Sequence, residues 1–304
     1  MTTTQRSSLA DIATTDGTFA VVAMDQRNTL KRMYAAVGVQ DPAQDELVGV
    51  KTDTVAALGS TASAFLLDPT YGIPALDGVP ADVRESLGIL VAAEPSDRGN
   101  YNGEPRTHRD PEQGAAWVAA QGGHALKFLV QLRADRPADG GPDLAAEALE
   151  VMREVIEDCR ANGVPSVIEN LVYALPGEEL GESARADAII EAAVALDALQ
   201  PDLLKLEYPG GPQACRRLAT AIASPWAVLS AGVAFDEFTR VLEVSCDEGG
   251  ASGFIAGRAV WKETVGMTQP ERQAYLKDEG KRRLDRCLEA IDGRAVPWFE
   301  RSRS

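Results

Sequence analysis

Leu203-Leu-Lys-Leu-Glu207 places a lysine and a glutamate inside an otherwise apolar five-residue run. The run has the length of a buried parallel strand, yet lysine is disfavoured in strands and almost never fully buried without a partner. Seven other runs rich in Val, Ile, Leu and Phe are also of strand length. They are 18–24 (TFAVVAM), 63–67 (SAFLL), 88–93 (GILVAA), 125–130 (ALKFLV), 166–169 (SVIE), 226–230 (WAVLS) and 252–256 (SGFIA). All are apolar on both faces, as strands covered by helices should be.

The segments between them read as helices. Pro142-Asp143 opens one whose Leu144, Ala148, Leu149, Met152, Val155, Ile156 and Cys159 share a face. Helices are also expected at 29–37, 46–58, 182–199, 212–223 and 235–248, and a last long one at about 270–291. Linkers are punctuated at 133–142 (RADRPADGGP) and 175–181 (LPGEELG). No repeat or composition break marks a second domain, so residues 1–304 read as one unit. Eight strands alternating with helices predict an α/β fold, a (β/α)₈ TIM barrel. The rival is an open doubly wound sheet, but no G-x-G-x-x-G loop follows any strand.

Composition narrows the function. A net charge of −16 argues against nucleic acid or an anionic membrane as partner. No run approaches the roughly 20 apolar residues that span a bilayer. Residues 1–11 lack the apolar stretch of a signal peptide, so a cytoplasmic protein is expected. Two histidines, His108 and His124, are too few for a histidine-rich metal centre, and no metal or other cofactor is expected. Cys159, Cys215, Cys246 and Cys287 are scattered, without the spacing of a zinc or redox site. Barrels of this size usually assemble, which predicts a homo-oligomer.

The informative residues are charges set into strands. Asp25 follows 18–24, Lys127 interrupts 125–130, Glu169 ends 166–169, and Lys205 and Glu207 share a face by alternation. In a barrel they converge at the C-terminal mouth, where catalytic groups lie. A buried ion-pair network would also account for any one pair, but desolvating five ions is costly without a chemical return. A desolvated lysine beside another cation has its pKa lowered and yields a free amine. That amine can attack a ketone, and the resulting iminium accepts electrons as a C–C bond breaks. A nearby carboxylate moves the protons. The loops after the last two strands, Leu229-Ser-Ala-Gly-Val233 and Ile255-Ala-Gly-Arg-Ala259, match the place where barrels hold phosphate. Gly232 and Gly257 permit close backbone approach there, and Arg258 offers a two-pronged anion grip.

Over about residues 9–266 the sequence resembles the class I aldolase family that contains tagatose 1,6-bisphosphate and sulfofructosephosphate aldolases. The matching stretches include Ala23-Met-Asp-Gln-Arg27, Leu67-Asp-Pro-Thr-Tyr-Gly72, Ala125-Leu-Lys-Phe-Leu129, Leu204-Lys-Leu-Glu207 and Ala256-Gly-Arg-Ala-Val-Trp261. The resemblance implies a metal-independent enzyme with Lys205 as Schiff-base lysine and Glu169 as principal acid/base. It implies that Lys127 and Asp25 orient the substrate, and that Gln26, Ser230, Gly232, Gly257 and Arg258 bind substrate and its phosphate. Gly122-Gly-His-Ala-Leu-Lys127 and the ending Phe-Ile-Ala-Gly-Arg-Ala-Val-Trp261 look closer to the sulfofructosephosphate branch. The expected reaction is therefore cleavage of 6-deoxy-6-sulfofructose 1-phosphate to dihydroxyacetone phosphate and sulfolactaldehyde. Asp68-Pro-Thr-Tyr-Gly-Ile-Pro-Ala75 and Trp298 look more like the other branch, which keeps tagatose or fructose 1,6-bisphosphate as the alternative. A third reading is a sugar-phosphate sensor without catalysis.

Overall fold

The eight apolar runs form eight parallel strands that close on themselves in sequence order. They are β1 (Phe19–Met24), β2 (Ala64–Leu67), β3 (Gly88–Ala92), β4 (Ala125–Val130), β5 (Ser166–Asn170), β6 (Leu203–Leu206), β7 (Trp226–Val228) and β8 (Gly253–Ala256). β8 returns to β1 with Phe19 opposite Gly253 and Val22 opposite Ala256. The architecture is a single-domain (β/α)₈ barrel with helices outside. This computed structural model describes residues 7–137 and 140–301. Residues 1–6 of the polar N-terminal stretch, and 138–139 of the linker 133–142, lie outside the described residues. No helix among the described residues is long and apolar enough to cross a membrane.

Every residue of the eight barrel strands is buried, because one face fills the barrel and the other packs under helices. Val21, Ala92, Ala125, Val167 and Leu203 belong to the inner cluster. Val22, Val91, Leu126, Ile168 and Leu204 belong to the larger layer beneath the helices. The helix Leu144–Asn162 starts where Asp143 accepts a hydrogen bond from the Ala146 N–H at 2.9 Å. It stops at Gly163, whose φ of 66° makes a left-handed cap that glycine adopts without strain. Its buried side is Leu144, Ala148, Met152, Val155, Ile156 and Cys159, as the spacing predicts.

Three connections depart from the expected rhythm. After β3 the chain forms a hairpin, Gly99–Tyr101 with Glu104–Arg106, before the short helix Ala115–Ala120. Asn102 and Gly103 turn it with φ of 52° and 90°, the left-handed pair that Asn-Gly favours. After β2 the chain forms short helices, Gly72–Ala75 and Ala81–Ser86, with the tighter 3-10 turn Leu76–Gly78 between them. The expected helix at 270–291 is broken into Gln269–Tyr275, a widened turn Leu276–Gly280, and Lys281–Ile291. Glycine at 280 is a poor helix former, and its position allows the turn to widen.

Candidate active site

Alternation carries the inner face of the barrel to its mouth. Ala125, Val167 and Leu203 point inward, so Lys127, Glu169 and Lys205, two residues on, do as well. The same parity brings Asp25 inward from Ala23 and Glu94 inward from Ala92. Glu169 on β5 pairs in register with Lys205 on β6. Its carboxylate lies between the two lysines, with Oε1 3.0 Å from Lys205 Nζ and Oε2 2.7 Å from Lys127 Nζ. Lys127 also donates to Asp25 Oδ2 and Glu94 Oε1, both at 2.8 Å. Lys127, Lys205, Glu94 and Glu169 are all buried.

The charges hold one another ionised. Burial favours the neutral form of Asp25, but Lys127 and then Lys205 outweigh it and keep the carboxyl well below the usual range. Burial likewise works against the Glu169 carboxylate, and the same two lysines overcome it, leaving its pKa lowered. Burial opposes the Lys127 ammonium, yet Asp25, Glu169 and Glu94 together raise its pKa above the ordinary lysine value. Lys127 is thus not a bare cation beside Lys205, as the spacing alone implies. It is the hub of three carboxylates.

Glu207 shares the inner face but serves a different partner. Its Oε2 accepts from the Val172 N–H at 2.7 Å, and Arg185 pairs with its other oxygen. Burial raises its pKa despite these donors. Glu207 therefore ties the loop after β5 to the mouth, and among the described residues it forms no hydrogen bond or ion pair with Lys205.

Two contributors escaped the sequence reading. Glu94 follows the run 88–93 by one residue, and extending the inward parity of Leu90 and Ala92 would have found it. Lys51 had no such signal, because it sits in the helix Gln44–Leu58 outside the barrel. Its buried ammonium pairs with Asp68 and donates to the carbonyls of Met24 and Gln26, the residues on either side of Asp25. Asp68 in turn accepts from the Thr70 and Tyr71 N–H groups at 3.0 and 2.8 Å. Lys51 so fixes the backbone that presents Asp25. Lys51→Met is expected to cost about 3–5 kcal/mol, since Asp68 is left buried without its counter-ion. Urea denaturation measures it, and Lys51→Met with Asp68→Asn should recover part of the loss.

A cavity of about 680 Å³ opens above the charges at the C-terminal ends of the strands. Asp25, Gln26, Lys127, Glu169, Lys205, Ser230, Gly257 and Arg258 all line it. Gln26 Oε1 is buried with no hydrogen-bond partner. Neither the Ser230 hydroxyl nor the Arg258 guanidinium is hydrogen-bonded or ion-paired among the described residues. Gly232 is not in the wall itself. It lies beside Arg258, where a Cβ would come within 3.2 Å of the guanidinium, and its φ of 87° is a second reason for glycine. At Gly257 the need is steric, for a Cβ would fall 1.8 Å from the Ala23 carbonyl oxygen. That oxygen accepts from the Trp261 indole N–H at 3.0 Å, joining the loop after β8 to β1. The histidines are occupied with backbone: His124 accepts from the Ile89 N–H and His108 from the Gly99 N–H. The four cysteines are buried free thiols, and burial pushes the Cys215 thiol up to about 12.

The fold and this charged pocket at its catalytic end define the class, a (β/α)₈-barrel enzyme. The chain belongs to the DeoC/LacD family of aldolases, whose family model matches residues 19–263. It is thus a lyase. It is similar to tagatose 1,6-diphosphate aldolase 2 of Streptococcus pyogenes serotype M3, at 28% identity over 339 residues, covering 99% of this chain and 98% of the relative. Tagatose 1,6-diphosphate aldolase 1 of Streptococcus mutans serotype c is also 28% identical, covering 99% of this chain and all of that one. Among solved structures, an archaeal fructose 1,6-bisphosphate aldolase shares the fold with a TM-score of 0.63 at 16% identity, covering 94% of this chain and 100% of that one.

Proposed function

We propose that this protein is a class I aldolase that cleaves a ketose 1,6-bisphosphate, tagatose or fructose, through a Schiff base on Lys205. The observation that carries the chemistry is Glu169, set between Lys205 and Lys127 on the inner face of the barrel. The full-length likeness to tagatose 1,6-diphosphate aldolases supports the substrate. It shifts the reading from the sulfonated ketose, which several sequence motifs favour, to the bisphosphate.

The steps follow from the geometry. Lys205 attacks C2 of the open-chain ketose, and Glu169 is the nearest group to take its proton and to return one as water leaves. Held ionised at rest, Glu169 gains a proton only when the reaction supplies it. Glu169, a carboxylate again once water has left, takes the C4 hydroxyl proton. The C3–C4 bond breaks, its electron pair moves into the iminium to give an enamine, and the same proton is available for C3. Glyceraldehyde 3-phosphate departs. Protonation at C3 and hydrolysis release dihydroxyacetone phosphate and restore the amine. Lys127 carries fixed positive charge beside the reacting oxygens, and Asp25 holds it in place. Ser230 and Arg258, unpaired at the rim after β7 and β8, take the C1 phosphate with Gly232 and Gly257 beside them. Gln26 is placed to bind a substrate hydroxyl through its unpaired oxygen. This chemistry needs no metal, so full turnover in chelator is expected.

Borohydride reduction in the presence of dihydroxyacetone phosphate should add the mass of the reduced adduct to one peptide, the one containing Lys205. Labelling at another lysine, or none, would overturn the assignment.

A further inference from the structure

The loops after β7 and β8 meet at one point. Gly232 lies against the Arg258 guanidinium, so close that a Cβ there would come within 3.2 Å of it. Where Arg258 sits therefore depends on how the two loops are spaced, and each has little support of its own. The β7 loop passes through Ala231 and Gly232 with φ of 48° and 87°, and the left-handed form is uphill for alanine. The β8 loop turns into a helix of only four residues, Arg258–Trp261. The last carbonyls of a helix find no partner inside it, so this one needs donors from elsewhere.

One side chain from outside the barrel reaches both loops. Arg283, on the helix Lys281–Ile291, has its side chain 14% exposed. Its Nη1 donates to the carbonyl of Ala259, the residue after Arg258, at 3.1 Å. The same nitrogen lies 2.8 Å from the carboxylate of Glu263, in the turn Lys262–Thr264 that follows. Toward the other loop, the guanidinium sits over the Phe235 ring, 5.2 Å from its centroid. Phe235 opens the helix Phe235–Asp247 just after the β7 loop. Arg283 Nε is anchored on its own helix by Glu279 at 2.7 Å. The widened turn Leu276–Gly280 stands just ahead of it, a feature frequent at functional positions.

Arg282 is the contrast. It pairs with the same Glu279, its Nε at 3.0 Å, but its side chain is 55% exposed. It has no bond to either loop among the described residues. Stapling Glu279 is thus common to both arginines, and only Arg283 extends to the backbone beside Arg258.

We propose that Arg283 is a positioning residue for the phosphate end of the cavity, setting the spacing at which Ser230 and Arg258 close on one tetrahedral anion. It acts through Ala259 and Phe235 and does not itself line the cavity. The inference rests on the reading of Ser230 and Arg258 as the phosphate grip.

The test is calorimetric titration with a hexitol 1-phosphate, which carries the phosphate but no ketone to react with Lys205. Arg283→Met should bind it roughly tenfold more weakly than the wild type, and Arg258→Met at least as weakly as that. Arg283→Lys keeps a charge between Glu263 and Glu279 but loses the planar fork, and should weaken binding about threefold. Arg282→Met should stay within about twofold of the wild type. A thermal scan establishes that each variant is folded, and where the methionine variant is not, the lysine variant decides. A purely structural role predicts a lowered melting temperature with unchanged affinity, and that result overturns the proposal. Equal weakening in Arg282→Met overturns it too. Absence of wild-type binding, or binding that Arg258→Met leaves unchanged, removes the phosphate grip and the proposal with it. The ligand forms no Schiff base, so the fate of Lys205 as nucleophile is decided separately by borohydride trapping.

Discussion

Lys205→Met will lower kcat/KM for the ketose bisphosphate by roughly 10⁴-fold or more while the protein remains folded. The methionine keeps the length of the stem and removes only the amine, so the covalent route is lost outright. The fold should survive because Glu169 keeps its second cation, Lys127, at 2.7 Å. Steady-state cleavage coupled to detection of dihydroxyacetone phosphate measures the loss, and a thermal unfolding scan confirms the fold. Retention of more than about a hundredth of wild-type activity would move the nucleophile elsewhere. Lys127→Met is the instructive contrast. It strips the counter-ion from three carboxylates, so it should damage stability as well as rate.

Glu169→Gln is expected to reduce kcat by about 10²–10⁴-fold, the usual contribution of a positioned acid/base. Glutamine preserves size and hydrogen bonding but cannot carry a proton between Lys205 and the leaving water. Borohydride trapping should slow in proportion, since iminium formation itself needs that transfer. The same variant changes acid sensitivity, and its sign follows from the lowered pKa. A carboxyl whose folded value lies below its unfolded value of about 4.3 contributes stability that is fully present above that pH. The contribution disappears as pH falls through the lower folded value. Glu169→Gln should therefore show a smaller drop in denaturation midpoint between pH 5 and pH 3 than the wild type. An identical drop would mean that Glu169 is not held ionised by the two lysines.

The barrel and most of its charged centre could be read from strand parity. Lys127, Glu169 and Lys205 break apolar runs two residues after Ala125, Val167 and Leu203, and alternation alone sets them on one inner face. Parity works because a closed parallel barrel leaves a strand residue only two places to point. It does not reach Lys51, whose side chain enters from a helix, because pairing across layers has no periodic trace in sequence. The hairpin after β3 carried its own signal in Tyr101-Asn-Gly-Glu104, but its strands are three residues long, too short to show alternation. The substrate was the hardest part. Strand parity reaches the charged centre, whereas cavity residues such as Arg98 and Gln131 sit in loops that belong to no strand pattern.

The hydrogen bond from Trp261 to the Ala23 carbonyl spans 238 residues of chain. Its geometry has a bearing on biosynthesis. A nascent chain growing from its N-terminus can assemble β1 to β7 as an open, curled sheet, but the seam between first and last strands closes only after β8 leaves the ribosome, and the Trp261 bond locks it after that. Until then the edge of β1 is unpaired and the lysine–carboxylate centre stands in water rather than protein. Activity is therefore expected late in translation, and a chain truncated just before β8 should keep Lys127, Glu169 and Lys205 yet fail to close the seam that shelters them.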